Sequence, residues 1–220
     1  KEKVVIISNF HEDNEISRTN MTYKYFISKE FDTTVLYSNF SHSLKKFRNL
    51  NNKDFVLLKT ISYGSSLSLR RILSYIIFSY RVFVFLQKNK YDIIYVNLPP
   101  NILALAVFLF PRKKNITIVD IIDLWPESFP HAGSVAKKAI VLLFGGFLKK
   151  IRKFAIDRSD YCIAESNLFY RKLNLKSKKK SRVIHLKKFQ TKKITLDNPS
   201  NDFSIAYLGN IGNFYDFDSL

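Results

Sequence analysis

Asp92-Ile93-Ile94-Tyr95-Val96-Asn97-Leu98-Pro99-Pro100 is a short apolar run ending in two prolines, and the stretch after it, 101–110, has helical length. Ile116-Thr117-Ile118-Val119 then resumes the same kind of apolar run. A strand apolar on both faces, a covering helix and a second such strand make a unit whose strands lie parallel. Asn97 marks the end of the first strand. Pro99-Pro100 can open the helix, because proline's fixed φ suits a first helical turn.

The alternation continues in both directions. Upstream, Val4-Val5-Ile6-Ile7-Ser8 reads as a strand, 9–14 as a polar loop, and Ser17–Lys29 as a helix with Met21, Tyr25 and Phe26 on one side. Thr33–Tyr37 and Phe55–Leu58 read as strands, and Leu69–Lys88 as a long helix. Downstream, Val135–Asp157 reads as a helix broken at Gly145-Gly146, Tyr161–Ala164 as a strand and Asn167–Leu173 as a helix. The expected fold class is α/β, a Rossmann-like parallel sheet with helices on both faces. Ligands of such sheets bind beyond the carboxyl ends of the strands, which singles out 9–18, 97–100, 120–131 and 165–167. The basic tract Lys176–Lys193 reads as a boundary. The expectation is one domain over 1–190, a linker over 191–202, and a further strand, Phe203–Leu208, opening an incomplete second domain over 203–220.

The chain of 220 residues carries a net charge of +18, distributed unevenly. Residues 1–136 have a net of +7, residues 137–193 a net of +15 and residues 194–220 a net of −4. Such a block attracts polyanions, whether nucleic acid, anionic lipid headgroups or diphosphates. The plain alternative is a lysine-rich composition with solvated side chains. Nucleic acid is not expected, because the block contains no recognisable RNA- or DNA-binding motif. Cys162 is the single cysteine, so no intrachain disulfide can form, and its apolar surroundings point to a buried structural thiol. The first residues do not read as a signal peptide, and no uncharged apolar run approaches the roughly 20 residues of a spanning helix. The expectation is an intracellular protein that does not span a membrane.

No G-x-G-x-x-G follows the first strand and no P-loop occurs, so neither phosphate cradle is expected. His11, Glu12 and Asp13 are consecutive, and consecutive side chains rarely converge on one ion, so no metal is expected. The most informative stretch is Asp120-Ile121-Ile122-Asp123-Leu124-Trp125-Pro126-Glu127-Ser128, with three carboxylates, the only Trp and a rigid Pro directly after a strand. A carboxylate there can orient a sugar hydroxyl or take its proton, and an indole can stack on a sugar ring. The alternative is a strand-end cap with Trp125 packed in the core.

Asp123-Leu124-Trp125-Pro126-Glu127-Ser128 resembles a segment of bacterial family 4 glycosyltransferases of surface-polysaccharide assembly. Tyr207-Leu208-Gly209-Asn210-Ile211-Gly212, with Tyr215-Asp216 and Ser219-Leu220, resembles the opening of their donor domain. Pro99-Pro100 after a strand and Arg18 at a helix start also fit. The resemblance implies a GT-B fold, with a nucleotide-sugar donor held mainly by the second domain and the acceptor by the first. It implies a retaining transfer with no cofactor and no metal. Asp123 becomes the candidate catalytic residue, with Arg18, Asn97, Trp125 and Glu127 on the acceptor side. Gly209, Asn210 and Gly212 fall under the donor diphosphate, where glycines permit close backbone approach. Two positions depart from the pattern: Ile122 stands where many relatives have His, and the first loop has Glu15-Ile16 where glycines are common. The family's basic donor-binding residues and paired glutamates would fall after Leu220, so this stretch alone is expected to be catalytically incomplete.

A second theme is membrane contact. On Leu69–Lys88, Leu69, Ile72, Leu73, Ile76, Tyr80 and Phe83 share one face, while Arg70, Ser74, Arg81 and Lys88 share the other with Phe78 and Phe85. On Val135–Asp157, Ile140, Phe144, Phe147, Ile151 and Phe154 share a side, with Lys149, Arg152 and Lys153 beyond them and Lys137 and Lys138 near the start. Core burial accounts for most of these apolar residues, yet basic groups flanking aromatics also suit an anionic leaflet. A lipid-linked saccharide acceptor would need such docking, at the cytoplasmic face of the cell membrane. The competing reading is a non-catalytic glycosyltransferase-like subunit that supports a partner enzyme at the membrane.

Overall fold

The computed structural model describes residues 1–12, 17–49, 53–64, 68–109, 115–128, 135–178 and 180–186, with the 135–158 helix's side chains described from Phe144 onward. The expected linker 191–202 and second-domain start 203–220, with Gly209, Asn210 and Gly212, lie outside these residues, as do Asp13 and His131.

The apolar runs form parallel strands because each must bury both faces. β1 (Lys3–Ser8), β2 (Asp32–Ser38), β3 (Phe55–Leu58), β4 (Ile93–Leu98), β5 (Ile116–Ile121), β6 (Tyr161–Ala164) and β7 (Ser181–Val183) make one sheet in the order β3-β2-β1-β4-β5-β6-β7. Every neighbouring pair is parallel. The helices are α1 (Arg18–Ser28), α2 (Leu69–Lys88), α3 (Leu103–Phe108), α4 (Val135–Arg158) and α5 (Asn167–Lys172), with a 3-10 turn at Leu175–Ser177. This is the Rossmann-like α/β architecture.

The two sheet faces are covered unequally. Val5, Ile7, Leu36, Val96, Val119 and Ile121 pack with Phe78 and Val82 of α2, with α3, and with Ile151 and Ala155 of α4. On the other face Val4, Ile6, Val35, Tyr37 and Tyr95 pack under Phe26 of α1. Cys162 lies on the first face, where burial pushes its thiol up to about 12. Serines start three helices: the Ser17, Ser68 and Ser166 hydroxyls accept from the N–H groups of Asn20, Arg71 and Phe169. A serine oxygen at this position satisfies one of the first-turn donors that the helix itself cannot.

Three features differ from the sequence reading. α4 runs unbroken through Gly145-Gly146. Gly145 serves close packing instead, since a Cβ there would sit 3.1 Å from Cγ of Pro126. Within the tract read as a boundary, β7 adds a seventh strand. It is three residues long, and no apolar run announces it. The buried Ser181 hydroxyl secures it by donating to the Leu175 and Lys178 carbonyls.

The third difference is the orientation of α2. Ser74, Tyr75, Phe78, Ser79 and Val82 face the core. Leu69, Ile72, Leu73, Ile76 and Tyr80 are exposed, Leu69 at 80% and Tyr80 at 65%. A helix apolar nearly all round gives periodicity no face to choose, and the small Ser74 and Ser79 let the helix sit close to the layer beneath. On α4, Ile151 is buried and Phe154 packs on Phe108, whereas Phe144 and Phe147 are about half exposed at 48% and 54%. Among the described residues no helix is long and apolar enough to cross a membrane.

Candidate functional site

The chain leaves β1 toward β2 on one side, while β4 begins the series running to the other. At such a switch point the connections diverge and open a crevice beyond the strand ends. Asn9 and Phe10 follow β1, Asn97 ends β4, Asp120 to Asp123 end and follow β5, and Glu165 follows β6. The first turn of α1 delivers Arg18 and Thr19 to the same end.

Arg18 and Asp120 form the centre of this edge. Arg18 Nε donates to Asp120 Oδ2 at 2.7 Å and Nη2 to Oδ1 at 3.0 Å, a bidentate pair in which Asp120 has no exposed side-chain surface. Tyr95 Oη donates to Asp120 Oδ2 at 2.5 Å, and Arg18 Nη1 donates to the Ile184 carbonyl at 2.6 Å. Burial raises the Asp120 carboxyl above the ordinary carboxylate range, with Arg18 and Tyr95 pulling back against it. For Arg18, burial works against the charge, and the Asp120 hydrogen bond and negative charge outweigh it and raise its pKa. Arg18 therefore ties α1, β5 and the residue after β7 together, and its charge is matched by Asp120. Asn97 is buried, and its Nδ2 donates to Thr19 Oγ1 at 3.1 Å, pinning the start of α1 to β4.

Asp123 is tied to its own loop. Its Oδ1 accepts from Leu124 N at 2.7 Å and its Oδ2 from Trp125 Nε1 at 2.9 Å. The indole so held lies in an aromatic cluster with Phe10 and Tyr75, at centroid separations of 5.8 and 5.6 Å. The Arg71 guanidinium sits 5.1 Å from the Trp125 centroid and 5.4 Å from that of Tyr75. Asn101 anchors the turn from below, its Nδ2 donating to the carbonyls of Trp125 and Leu148, each at 3.0 Å. Trp125 is a strand-end packing residue, half-buried against this cluster. Asp123→Ala removes both bonds. We expect the emission of this only Trp to shift to the red, with a stability loss of about 1.5–3 kcal/mol, the usual range for a hydrogen bond to a charged group. An unchanged emission spectrum would mean that Asp123 does not hold the ring.

Glu127 lies apart from this edge. Arg152 of α4 donates to its two oxygens at 2.8 and 2.6 Å and to the Trp125 carbonyl at 2.5 Å. Burial pushes the Glu127 carboxyl up, but the Arg152 bonds outweigh it and hold the pKa low. Arg152, read from sequence as one of the outward basic residues, is buried in this pair. His42, near Arg71, is lowered to about 4 by burial and by the Arg71 and Lys45 charges, so it stays neutral at physiological pH.

Glu165 and Asp120 fall within the strand-end segments but are not among the candidate residues of the sequence reading. Glu165 is half-buried and raised, first by burial and then by the charges of Asp120 and Asp123, with Arg18 pulling it down. The signal was available: an acidic residue directly after an apolar strand, on the β6 neighbour of Asp120. Sequence order does not show that Asp120, Asp123 and Glu165 share one electrostatic neighbourhood. Chemically this edge offers carboxylate oxygens for hydroxyl donors, an aromatic surface and a charge-matched Arg18. Among the described residues no three His, Cys, Asp or Glu side chains are placed to hold a metal ion. No protein-family model matches the sequence, and no curated protein matches it as a relative.

Proposed function

We propose that this chain is the acceptor-side part of a glycosyltransferase that moves a sugar from a nucleotide-sugar donor to a lipid-linked saccharide, in building cell-surface polysaccharide. The observation that carries the reading is a coincidence of position. The Asp123–Ser128 segment, which carries the resemblance, follows the carboxyl end of β5, the edge at which an α/β sheet takes its ligand. In this reading Asp123 holds the Trp125 indole as a platform for a sugar ring, and Glu165 accepts a hydrogen bond from an acceptor hydroxyl. Arg18 and Asn97 hold α1 in place and shape the crevice wall, and Glu127 fixes the turn through Arg152. The same reading assigns the donor diphosphate to Gly209, Asn210 and Gly212, which are outside the described residues, and makes the transfer retaining, with no metal or cofactor. The exposed apolar face of α2, flanked by Arg70 and Arg81, supports docking on the inner face of an anionic membrane, where a lipid-linked acceptor would be found.

One observation favours a second reading, a non-catalytic subunit at the membrane. Both oxygens of Asp123 are engaged within its own loop, and Asp120 is neutralised by Arg18. The deciding experiment incubates the full-length protein and membranes with a panel of tritiated nucleotide sugars and counts label in the lipid extract. Transfer that falls with Glu165→Gln supports the enzyme. No label with this protein alone, but more label with both proteins than with a partner transferase alone, assigns the supporting role. No label under either condition overturns both.

A further inference from the structure

The loop that follows β2 has a fixed backbone. Phe40 and Phe47 form an antiparallel bridge, Ser41 N donates to the Lys46 carbonyl at 2.9 Å, and Arg48 N donates to that of Asn39 at 2.7 Å. Lys45 closes the turn with a φ of 54°, in the left-handed region, and Leu44 N donates to Ser41 Oγ at 3.2 Å. These bonds hold Leu44 outward, 70% exposed, with Phe47 at 55%. A single exposed leucine is ordinary on a protein surface, but this one has apolar company.

The loop stands against the start of α2. Phe40 packs on Tyr63 at a centroid separation of 4.8 Å, and Tyr63 on Tyr75 of α2 at 6.1 Å. Lys45 Nζ lies 5.2 Å from the Tyr63 centroid. Tyr75 belongs to the same turns of α2 as the exposed Ile72, Leu73 and Ile76, so the helix face and the loop flank one buried aromatic cluster.

Charge narrows the partner. Neither 39–49 nor α2 contains an Asp or Glu, and Lys45, Lys46, Arg70 and Arg81 are exposed on them. A second copy of this chain is a poor fit, because a two-fold contact would set these cations against their own equivalents. An anionic leaflet meets both requirements. Its headgroups attract the basic residues, and its acyl boundary takes the apolar ones.

We propose that the 40–48 loop is a second membrane contact, which docks on an anionic leaflet together with α2. The inference rests on the reading of α2 as a docking face, and adds to it a second element and an orientation. The loop leaves the carboxyl end of β2, and Tyr75 of α2 also touches Trp125, past the carboxyl end of β5, at 5.6 Å. Docking by both elements turns this edge of the sheet toward the headgroups, so that a lipid-borne ligand reaches Trp125 without leaving the leaflet.

The test labels Leu44→Cys with bimane, Cys162 being buried and out of reach of the reagent. Phosphatidylglycerol vesicles are expected to shift the emission to the blue as the probe leaves water, and phosphatidylcholine vesicles are not. In co-sedimentation, Leu44→Ser is expected to bind phosphatidylglycerol vesicles roughly five- to thirtyfold more weakly, for the 70% of the leucine now open. Its thermal unfolding should be unchanged. No blue shift, or full affinity in Leu44→Ser while Leu73→Glu/Ile76→Glu loses binding, overturns the loop contact and leaves α2 as the docking face. An equal shift with phosphatidylcholine overturns the anionic assignment. Absence of vesicle binding by the unmodified protein overturns the loop and α2 together, and leaves the patch to a protein partner.

Discussion

Arg18→Met is expected to lower the unfolding free energy at pH 7 by about 3–5 kcal/mol, the usual cost of removing one partner from a buried ion pair. Asp120 has no exposed side-chain surface, and Tyr95 would be its only remaining side-chain hydrogen-bond donor among the described residues. The loss should depend on pH in a defined direction. The folded Asp120 pKa is already raised by burial, so its proton stabilises the fold below the ordinary value near ~3.9. That contribution disappears as pH rises through the folded value. Arg18 offsets the cost of the ionised form, and methionine cannot, so the variant's Asp120 titrates higher still. Its deficit relative to the unmodified protein is fully developed above that value and shrinks as the pH is lowered through it. Urea unfolding of both proteins at pH 7 and pH 5 measures this. A deficit under ~1 kcal/mol, or an equal one at both pH values, would show that the pair does not carry the junction of α1 with β5.

Leu73→Glu/Ile76→Glu is expected to abolish binding to anionic vesicles while leaving folding stability nearly unchanged. Both side chains are exposed, at 48% and 44%, so their replacement opens no cavity. About half of each side chain is still open, so docking would gain roughly half of the ~1.5–3 kcal/mol of a full burial for each. The pair then carries ~1.5–3 kcal/mol, or roughly tenfold to a hundredfold in affinity. The two added negative charges also oppose an anionic surface. Co-sedimentation at low and high salt checks the effect, with thermal unfolding as the control for folding. Undiminished vesicle binding would remove α2 from the docking surface and leave its apolar face for a protein partner.

The sequence placed the sheet and the carboxyl ends of its strands with little help. Phe55–Leu58, Leu69–Lys88 and Tyr161–Ala164 have the same ends in the structure as in the reading of the sequence. Strands buried on both faces must be apolar throughout, and that signal survives in a single chain. The residues past each strand end were legible too, because an α/β sheet has one ligand edge. β7 was not legible, because three residues in a lysine-rich tract carry no pattern, and β6 supplies the pairing that makes them a strand.

Which carboxylate bears which burden was decided only in three dimensions. Asp120, Asp123 and Glu127 lie within one short segment and look alike on paper. The fold buries Asp120 against Arg18, 102 residues away in the chain. It turns Asp123 back on Trp125 and gives Glu127 to Arg152. The outer face of α2 belongs to the same class, since a helix apolar on every side records that burial is possible without recording where. Local composition determines the elements and the edge at which they open. The roles of individual charges and apolar faces depend on partners distant in sequence, because Coulomb energy and burial follow separation in space.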